Sequence, residues 1–320
     1  MRLSTLKNKC KRELSIAGDF GFTFALRSMF FKLNKEYAKE IESLKNVLKN
    51  ENREDLIALD AEMNEWSITK NLPVNKNIFS MWWQGYDNAP ELVKMCINSH
   101  KEFAKKIEAN YHFISQDNIN NYVSVPQEYI KLMKEGTMTV THFSDIARML
   151  LLEKWGGCWI DSTVYVTPEC EDNIFDKEFY SFRLLNSIHT PVGVGQTITE
   201  CKWASFFIVS PYTHHPLIHY IRKCLFRYWE NHHSVPNYFF LNIIIRLAYD
   251  EVPSIKDLID SIPYNNGHLY ELSDVLNNKY NSDYYNYIKK DTGFFKLSWK
   301  NSLGESDGVT TFYDHLRLSN

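Results

Sequence analysis

Hydrophobic residues in the first part of the chain recur at helical spacing. Between residues 34 and 50, a stretch rich in lysine and glutamate, the apolar positions lie three and four residues apart. These positions are Tyr37, Ile41, Leu44 and Leu48. Such spacing places them on one face of a helix whose other faces meet solvent. With a second short helix predicted over residues 55–65, the pattern indicates an N-terminal helical extension over residues 1–71.

A segment rich in phenylalanine, residues 20–33, precedes the first of these helices. It follows a basic run made of Lys7, Lys9, Lys11 and Arg12. Basic and aromatic residues together suit a segment that lies on an anionic membrane surface. The same apolar residues equally suit packing against the main domain. The sequence leaves these two positions for the segment open.

After Pro73, short runs rich in β-branched and aromatic residues alternate with helical patterns, as in a layered α/β domain. Strands are predicted over residues 78–83 and 111–115. The helix between them begins at Pro90, because proline suits the first helical turn. Further strands are predicted over residues 158–166, 179–184 and 205–209, and a further helix over residues 217–229. We therefore predict an α/β domain over residues 72–320.

Composition and charge limit the partners that the chain is expected to have. Its 320 residues carry a formal net charge of -3. This charge provides no overall positive field for nucleic acid, so no nucleic-acid partner is expected. The six cysteines show no metal-type spacing. No run reaches the ~18 apolar residues that span a bilayer, and no signal core is evident. We expect a cytoplasmic protein, either free or peripheral on the inner face of the cell membrane.

The segment THFSDIARMLLLEKWGGCWIDSTVYVT, residues 141–167, combines the signals of a helix, a turn and a strand. Ser144 suits the N-cap, and the glycine pair at residues 156–157 suits a left-handed stop, so a helix of about three turns is predicted. Asp145 and Arg148 then project from one face of its first turn. That end of a helix favours anions such as a diphosphate. A surface ion pair between the two residues is the plainer alternative.

Asp161 stands where the apolar run that follows this helix ends. Alternation along a strand places Asp161 and Thr163 on the same side. A buried carboxylate without a partner is costly, so Asp161 must be paired, hydrated or bound to a metal. Mg²⁺ and Mn²⁺ prefer oxygen ligands and commonly bind through one or two carboxylates together with substrate phosphates. A metal at Asp161 would therefore agree with a nucleotide-binding role.

The order S-D-I-x-R, seven residues, G-G, three residues and Asp resembles the donor-site signature of the capsular polysaccharide synthesis glycosyltransferases and related DXD-type sugar transferases. The resemblance includes WWQG at residues 82–85, NAPELV at residues 88–93 and THFSD at residues 141–145, and covers roughly residues 71–211. It implies a GT-A (Rossmann-like) fold, a nucleotide diphosphate-sugar donor that is usually a UDP-sugar, and retention of the anomeric configuration.

The resemblance also implies roles for single residues. Trp83 and Gln84 correspond to positions where the first strand meets the nucleotide. Asp145 and Arg148 correspond to positions that hold the donor sugar and the diphosphate. Asp161 corresponds to the first carboxylate of the DXD, so Asp145, Arg148 and Asp161 are the predicted catalytic residues.

A metal cofactor, Mn²⁺ or Mg²⁺, is implied by the same resemblance, with Asp161 and Thr163 as ligands. The triplet is Asp161-Ser162-Thr163, so a hydroxyl replaces the second carboxylate of the DXD. A hydroxyl is a weaker metal ligand than a carboxylate. Asp307, in the Gly-flanked loop GESDG, is a candidate for completing the metal shell, and an acidic loop that is simply solvated is the alternative.

Three functions agree with parts of this pattern. The favoured one is a metal-dependent, retaining glycosyltransferase whose acceptor is a lipid-linked oligosaccharide or another glycan. The alternative is a catalytically idle subunit that binds a sugar nucleotide in a polysaccharide assembly complex, because the incomplete DXD would suit lost metal chemistry. A metal-dependent phosphohydrolase is disfavoured, since the histidine pairs at residues 214–215 and 232–233 lack a matching carboxylate motif and suit surface or capping positions.

Overall fold

The computed structural model describes residues 14–68, 72–185, 194–235, 237–300 and 308–318. The helices are α1 (Phe22–Leu33), α2 (Tyr37–Glu51), α3 (Arg53–Ile68), α4 (Glu91–Lys106), α5 (Ile119–Tyr122), α6 (Gln127–Lys134), α7 (Val140–Trp155), α8 (Val194–Thr199), α9 (Pro216–Asn231), α10 (Phe240–Glu251), α11 (Pro253–Asp260), α12 (Glu271–Val275), α13 (Ser282–Lys289) and α14 (Phe312–Leu318). The strands are β1 (Asn77–Met81), β2 (Asn110–Ile114), β3 (Gly157–Ile160), β4 (Val164–Val166), β5 (Tyr180–Ser181), β6 (Phe207–Ser210) and β7 (Phe294–Lys296). The protein is therefore a mixed α/β protein, as predicted.

The central sheet has the strand order β2-β1-β3-β6-β5. Strand β1 pairs in parallel with both β2 and β3. Strand β6 is antiparallel to its neighbours β3 and β5. Helix α4 connects β1 to β2, so the predicted β-α-β opening is confirmed. A sheet with parallel strands at its centre is compatible with a Rossmann-like domain, and the GT-A arrangement stays a prediction.

The single strand predicted over residues 158–166 is wrong. Strand β3 ends at Ile160, and the chain turns so that the Val164 amide donates to the Asp161 carbonyl at 2.9 Å. Strand β4 then pairs with β7 in a separate two-stranded sheet. Both strands are buried, and only Asp161, Ser162 and Thr163 separate their apolar residues, so the turn is hard to recognise from the sequence. The alternation argument that placed Thr163 beside Asp161 does not hold across this turn.

Helix α7 begins one turn earlier than predicted. Thr139 is the N-cap, and its side chain accepts a hydrogen bond from the His142 amide at 3.2 Å. Ser144 lies inside the helix, where its hydroxyl donates to the Thr141 carbonyl at 2.7 Å. The N-cap prediction for Ser144 is therefore wrong, because Thr139 provides the same capping chemistry one turn upstream. The predicted stop is confirmed, since Gly156 has a φ of 61°.

The N-terminal helices share the main hydrophobic core. The predicted apolar stripe of α2 is buried at Ile41, Leu44 and Leu48, in the same cluster as the central strands. Asp55 of α3 pairs with Lys223 and Arg227 of α9. These contacts fasten the first helices to the α/β part of the chain. The predicted domain boundary at residue 71 stays a prediction.

Helix α1 packs against the protein along one face and exposes another. Ala25 and Ser28 are buried, whereas the apolar residues of the outer face are exposed. These exposed residues are Phe22, Leu26, Met29, Phe30 and Leu33. Their spacing of three and four forms a single stripe. Packing of the segment against the rest of the protein is therefore confirmed, and its contact with a membrane surface stays a prediction. Within the part of the chain that the structure describes, no helix is long and apolar enough to cross a bilayer.

Candidate active site

Two adjoining clefts lie where the parallel strands β1 and β3 end. The first cleft has a volume of about 360 Å³ and the second a volume of about 440 Å³. The residues that line both clefts are Thr141, Ser144, Asp161, Tyr238 and Lys296. In open α/β sheets, ligands bind beyond the carboxyl ends of parallel strands. The wall that the two clefts share is therefore the candidate active site.

Aromatic side chains line the second cleft. Trp83 follows β1 and contacts Phe143 edge to face, with 4.7 Å between ring centroids. Trp82 contacts Trp299 in the same manner at 5.7 Å. The exposed Gln84 also lines this cleft. Trp83 and Gln84, the residues predicted to meet the nucleotide, thus lie on the wall of the second cleft, and flat aromatic surfaces of this kind suit contact with a ring.

Polar and aromatic side chains line the first cleft. Besides the shared residues, they include Asp145, Arg148, Gln196, Thr199, Trp203 and Asn242. The Trp203 indole donates to the Asn242 side-chain oxygen at 3.0 Å, which fixes the orientation of that amide. Amide and hydroxyl groups beside aromatic rings suit a sugar, because its hydroxyls need hydrogen-bond partners while its ring faces are apolar.

Arg148 joins the two predicted catalytic carboxylates. Its Nη1 donates to Asp145 Oδ1 at 2.9 Å and its Nη2 donates to Asp161 Oδ1 at 3.2 Å. The guanidinium also lies over the Trp159 ring, 4.8 Å from the centroid. Because the helix begins at Val140, Asp145 lies in its second turn and Arg148 in its third, so the predicted placement in the first turn is wrong. The free amides at the helix N-terminus therefore do not adjoin this pair.

Lys296 occupies the other side of Asp161. Its Nζ donates to Asp161 Oδ2 at 2.8 Å and to Thr163 Oγ1 at 2.8 Å. Asp161 Oδ1 also accepts from the Trp159 indole at 2.8 Å. Asp161 is therefore paired, and its two oxygens receive N–H donors from three residues. Thr163 does lie beside Asp161, but a lysine ammonium joins them.

The two carboxylates of the site differ in pKa. Burial raises the pKa of Asp145 to about 7, the Arg148 charge opposes that rise, and the negative charge of Asp161 adds to it. Burial would also raise the pKa of Asp161, but Lys296 and Arg148 hold this pKa below its usual value. Asp161 is therefore an anion at neutral pH, whereas Asp145 takes up a proton close to neutrality.

N–H donors and an ammonium surround Asp161, the residue predicted to bind a metal. Within the described part of the chain, no three His, Cys, Asp or Glu side chains are arranged to hold an ion. Both Asp161 oxygens accept from N–H donors, and a cation lies against Thr163. These residues do not fit a divalent ion without displacement of the Lys296 ammonium. Asp307 lies outside the described residues, and metal dependence stays a prediction.

Sequence reasoning did not find Lys296, Tyr238 or Trp299 as residues of the site. Lys296 interrupts the apolar run FFKL of a buried strand, and a lone charge in such a run is a signal that the sequence contains. Tyr238 is 60% exposed and lies just before α10, where no motif marks it. Lys296 reaches Asp161 through the pairing of β7 with β4, and Tyr238 and Trp299 join the clefts through the packing of distant segments, which no local pattern reveals.

Comparison with known proteins gives two findings. A family model described as "Capsular polysaccharide synthesis protein" matches residues 27–316. A protein named O-glycosyltransferase braB, from Annulohypoxylon truncatum, is 27% identical to this chain over 130 residues. The match covers 37% of this chain and 30% of that relative, so the chain corresponds to only part of the relative's length.

Proposed function

The chain belongs to the capsular polysaccharide synthesis protein family, and on this premise we propose that it is a glycosyltransferase with a nucleotide diphosphate-sugar donor. The observation that carries this proposal is the pair of cations, Arg148 and Lys296, held by Asp161 at the wall between an aromatic cleft and a polar cleft. In a sugar nucleotide, the diphosphate joins the nucleoside to the sugar. The site has an aromatic cleft, a wall with two cations and a polar cleft in the same order.

In the proposed arrangement, the nucleoside lies in the second cleft beside Trp83, and the donor sugar lies in the first cleft. The diphosphate then meets Arg148 and Lys296. Fixed cations at this position stabilise the charge that develops on the phosphate as the bond to the sugar breaks. Asp145 accepts from a sugar hydroxyl when it is ionised. Retention of configuration is proposed from the family resemblance, and attack from the leaving-group face would account for it without a covalent intermediate.

A thermal-shift screen of UDP-, GDP- and dTDP-sugars tests the proposed donor class. A ligand at a hundredfold its dissociation constant adds about 2.7 kcal/mol of stability, so the matching donor should raise the melting temperature by a few degrees. Free sugars serve as the control, since they lack the diphosphate that the cations would bind.

The same samples then report donor hydrolysis through release of the nucleoside diphosphate. Hydrolysis of the sugar nucleotide that binds is the expected result. Binding without hydrolysis or transfer would favour the idle subunit, and the absence of a shift with every sugar nucleotide would contradict the donor class.

For the acceptor, we propose a lipid-linked glycan presented at an anionic membrane surface. The exposed apolar stripe of α1 supports this, because Phe22 is 70% exposed and Leu33 is 72% exposed. Arg27 and Lys35 are also exposed beside this stripe. Aromatic residues that enter the headgroup region, together with basic residues that attract anionic lipids, form an interfacial helix.

Co-sedimentation with phosphatidylserine-containing vesicles tests this membrane contact. Phe22→Ser combined with Phe30→Ser should weaken vesicle binding at least about 10-fold, because each ring would otherwise leave water for the lipid interface. The matched control is Ile57→Ser combined with Tyr287→Ser, which removes two residues that are 67% and 59% exposed elsewhere. Equal binding by the two double variants would contradict a role for α1.

A further inference from the structure

The position at which the resemblance predicts a metal contains the Lys296 ammonium. Its Nζ lies 2.8 Å from Asp161 Oδ2 and 2.8 Å from Thr163 Oγ1. It therefore bridges the first and third residues of the Asp-Ser-Thr triplet, the two positions at which a DXD has its carboxylates. Where that motif has its second carboxylate, this chain has a hydroxyl, so the triplet carries a single negative charge. One negative charge with a hydroxyl matches a monovalent ammonium better than a divalent ion.

The backbone and an aromatic ring hold Lys296 in this position. Strand β7 pairs with β4 so that Lys296 lies opposite Val164, next to the turn that carries the triplet. The Lys296 amide donates to the Leu269 carbonyl at 2.7 Å. Its ammonium lies 4.4 Å from the centroid of the Phe206 ring. A lysine held in this manner loses little side-chain entropy when it binds a ligand.

The Lys296 ammonium has one more N–H donor than its contacts with Asp161 and Thr163 use. A protonated lysine has three N–H donors, and Asp161 and Thr163 account for two of them. The Lys296 side chain is 21% exposed and lines both clefts. Among the described residues no other acceptor takes the third donor, so it is available to an oxygen at the wall between the clefts, where the proposed function puts the diphosphate.

Resting on the proposed function, we propose that Lys296 binds the donor diphosphate in place of a divalent metal, so that sugar transfer proceeds without one. The bond between the anomeric carbon and the β-phosphate oxygen breaks, and its electron pair stays on that oxygen. Lys296 and Arg148 neutralise the charge that appears there. The acceptor hydroxyl oxygen bonds to the anomeric carbon and loses its proton to solvent. The products are the glycoside, the nucleoside diphosphate and one proton.

Nucleotide affinity measured with and without metal tests this role directly. UDP and GDP are titrated calorimetrically into the full-length protein, once in EDTA and once in MnCl₂. The better nucleotide should bind in EDTA with an affinity within about threefold of that in MnCl₂. Because a charge-assisted hydrogen bond is lost, Lys296→Met should weaken this binding about 10- to 100-fold in EDTA. Lys134→Met, which removes an exposed lysine of α6, is the matched control and should bind as the wild type does.

A double variant tests the exchange of ammonium for metal. Thr163→Asp combined with Lys296→Met supplies the second carboxylate and removes the competing cation. Its UDP affinity should be weak in EDTA and should return towards the wild-type value when MnCl₂ is added. Electron paramagnetic resonance of Mn²⁺ should then show bound ion in this variant, while the wild type leaves the ion free.

Two results would overturn the inference, and they are distinguishable. Nucleotide binding by the wild type that is lost in EDTA and restored by MnCl₂ would show a metal-dependent site and would leave the proposed function intact. No binding of either nucleotide in either condition would overturn the proposed donor class, and with it the role of Lys296.

Discussion

Asparagine in place of Asp161 is expected to lower kcat/KM for sugar transfer by about 100- to 1000-fold, the range seen when one preorganised electrostatic group is removed. Asp161 accepts from Arg148 at one oxygen and from Lys296 at the other. An asparagine side chain keeps the shape but has one acceptor, and its NH₂ group would face one of the cations. Arg148 and Lys296 would therefore lose the anion that sets their position at the cleft wall.

The protein should stay folded, because the Asp161 side chain is 28% exposed and Arg148 keeps its contact with Asp145. Steady-state transfer or donor hydrolysis checks the activity, and a denaturant titration checks the fold. Asp257→Asn, which changes an exposed carboxylate on α11, is the control. If Asp161→Asn kept activity within a few-fold of the wild type, Asp161 would have only a structural role.

Arg148→Ala is expected to lower the free energy of unfolding by about 3–5 kcal/mol at pH 8, because it removes one partner of a buried ion pair. The Arg148 side chain is 4% exposed and the Asp145 side chain is 10% exposed. Without the guanidinium, the negative charge on Asp145 would have no cation in contact with it among the described residues. Because the pair is buried, Arg148→Ala should lower stability. The same change in an exposed pair on a helix surface would have little effect on stability.

The destabilisation by Arg148→Ala should decrease at acidic pH. Burial raises the pKa of Asp145 from its usual 3.8 to about 7, so the folded wild type already binds an extra proton between these values. Stability contributed by such a group falls as pH rises through this window, since the unfolded chain binds fewer protons there. Loss of Arg148 should raise the pKa of Asp145 further. At pH 5 the residue is then neutral, and the cost of its burial largely disappears.

Urea titrations at pH 5 and pH 8 measure this difference. The control is Arg53→Ala, which removes an exposed arginine of α3 and should change stability by less than about 0.5 kcal/mol at both values. If Arg148→Ala lost the same stability at pH 5 and pH 8, Asp145 would not be the buried charge that Arg148 neutralises. If Arg148→Ala lost no more stability than Arg53→Ala, Arg148 and Asp145 would not form a buried ion pair.

Local chemistry in the sequence was enough for the elements that bear most of the site. The α/β class, the β-α-β opening and the end of α7 at Gly156 follow from hydrophobic periodicity and glycine conformation, which act within a few residues. The order of motifs across α7 and β3 indicated the family that the match over residues 27–316 confirms. Asp145, Arg148 and Asp161 could be singled out as candidates because they lie within this short segment, and the structure brings them into contact.

Elements whose form depends on distant partners were predicted less well. In the run from Cys158 to Val166, only three polar residues separate two apolar stretches, so its turn became visible only when β4 was seen to pair with β7. Likewise, whether Thr139 or Ser144 caps α7 depends on where the preceding loop delivers the chain. Both residues can cap a helix, so local propensity does not separate them.

The sequence by itself determined the fold class, the family and the short segment that carries Asp145, Arg148 and Asp161. Only the tertiary structure decided what surrounds Asp161, because Lys296 is 135 residues away along the chain. The pairing of β7 with β4 brings its ammonium to the triplet, and burial raises the pKa of Asp145. Charge and burial at a site depend on neighbours from the whole chain. Periodicity and motif spacing report only on residues that are close in sequence.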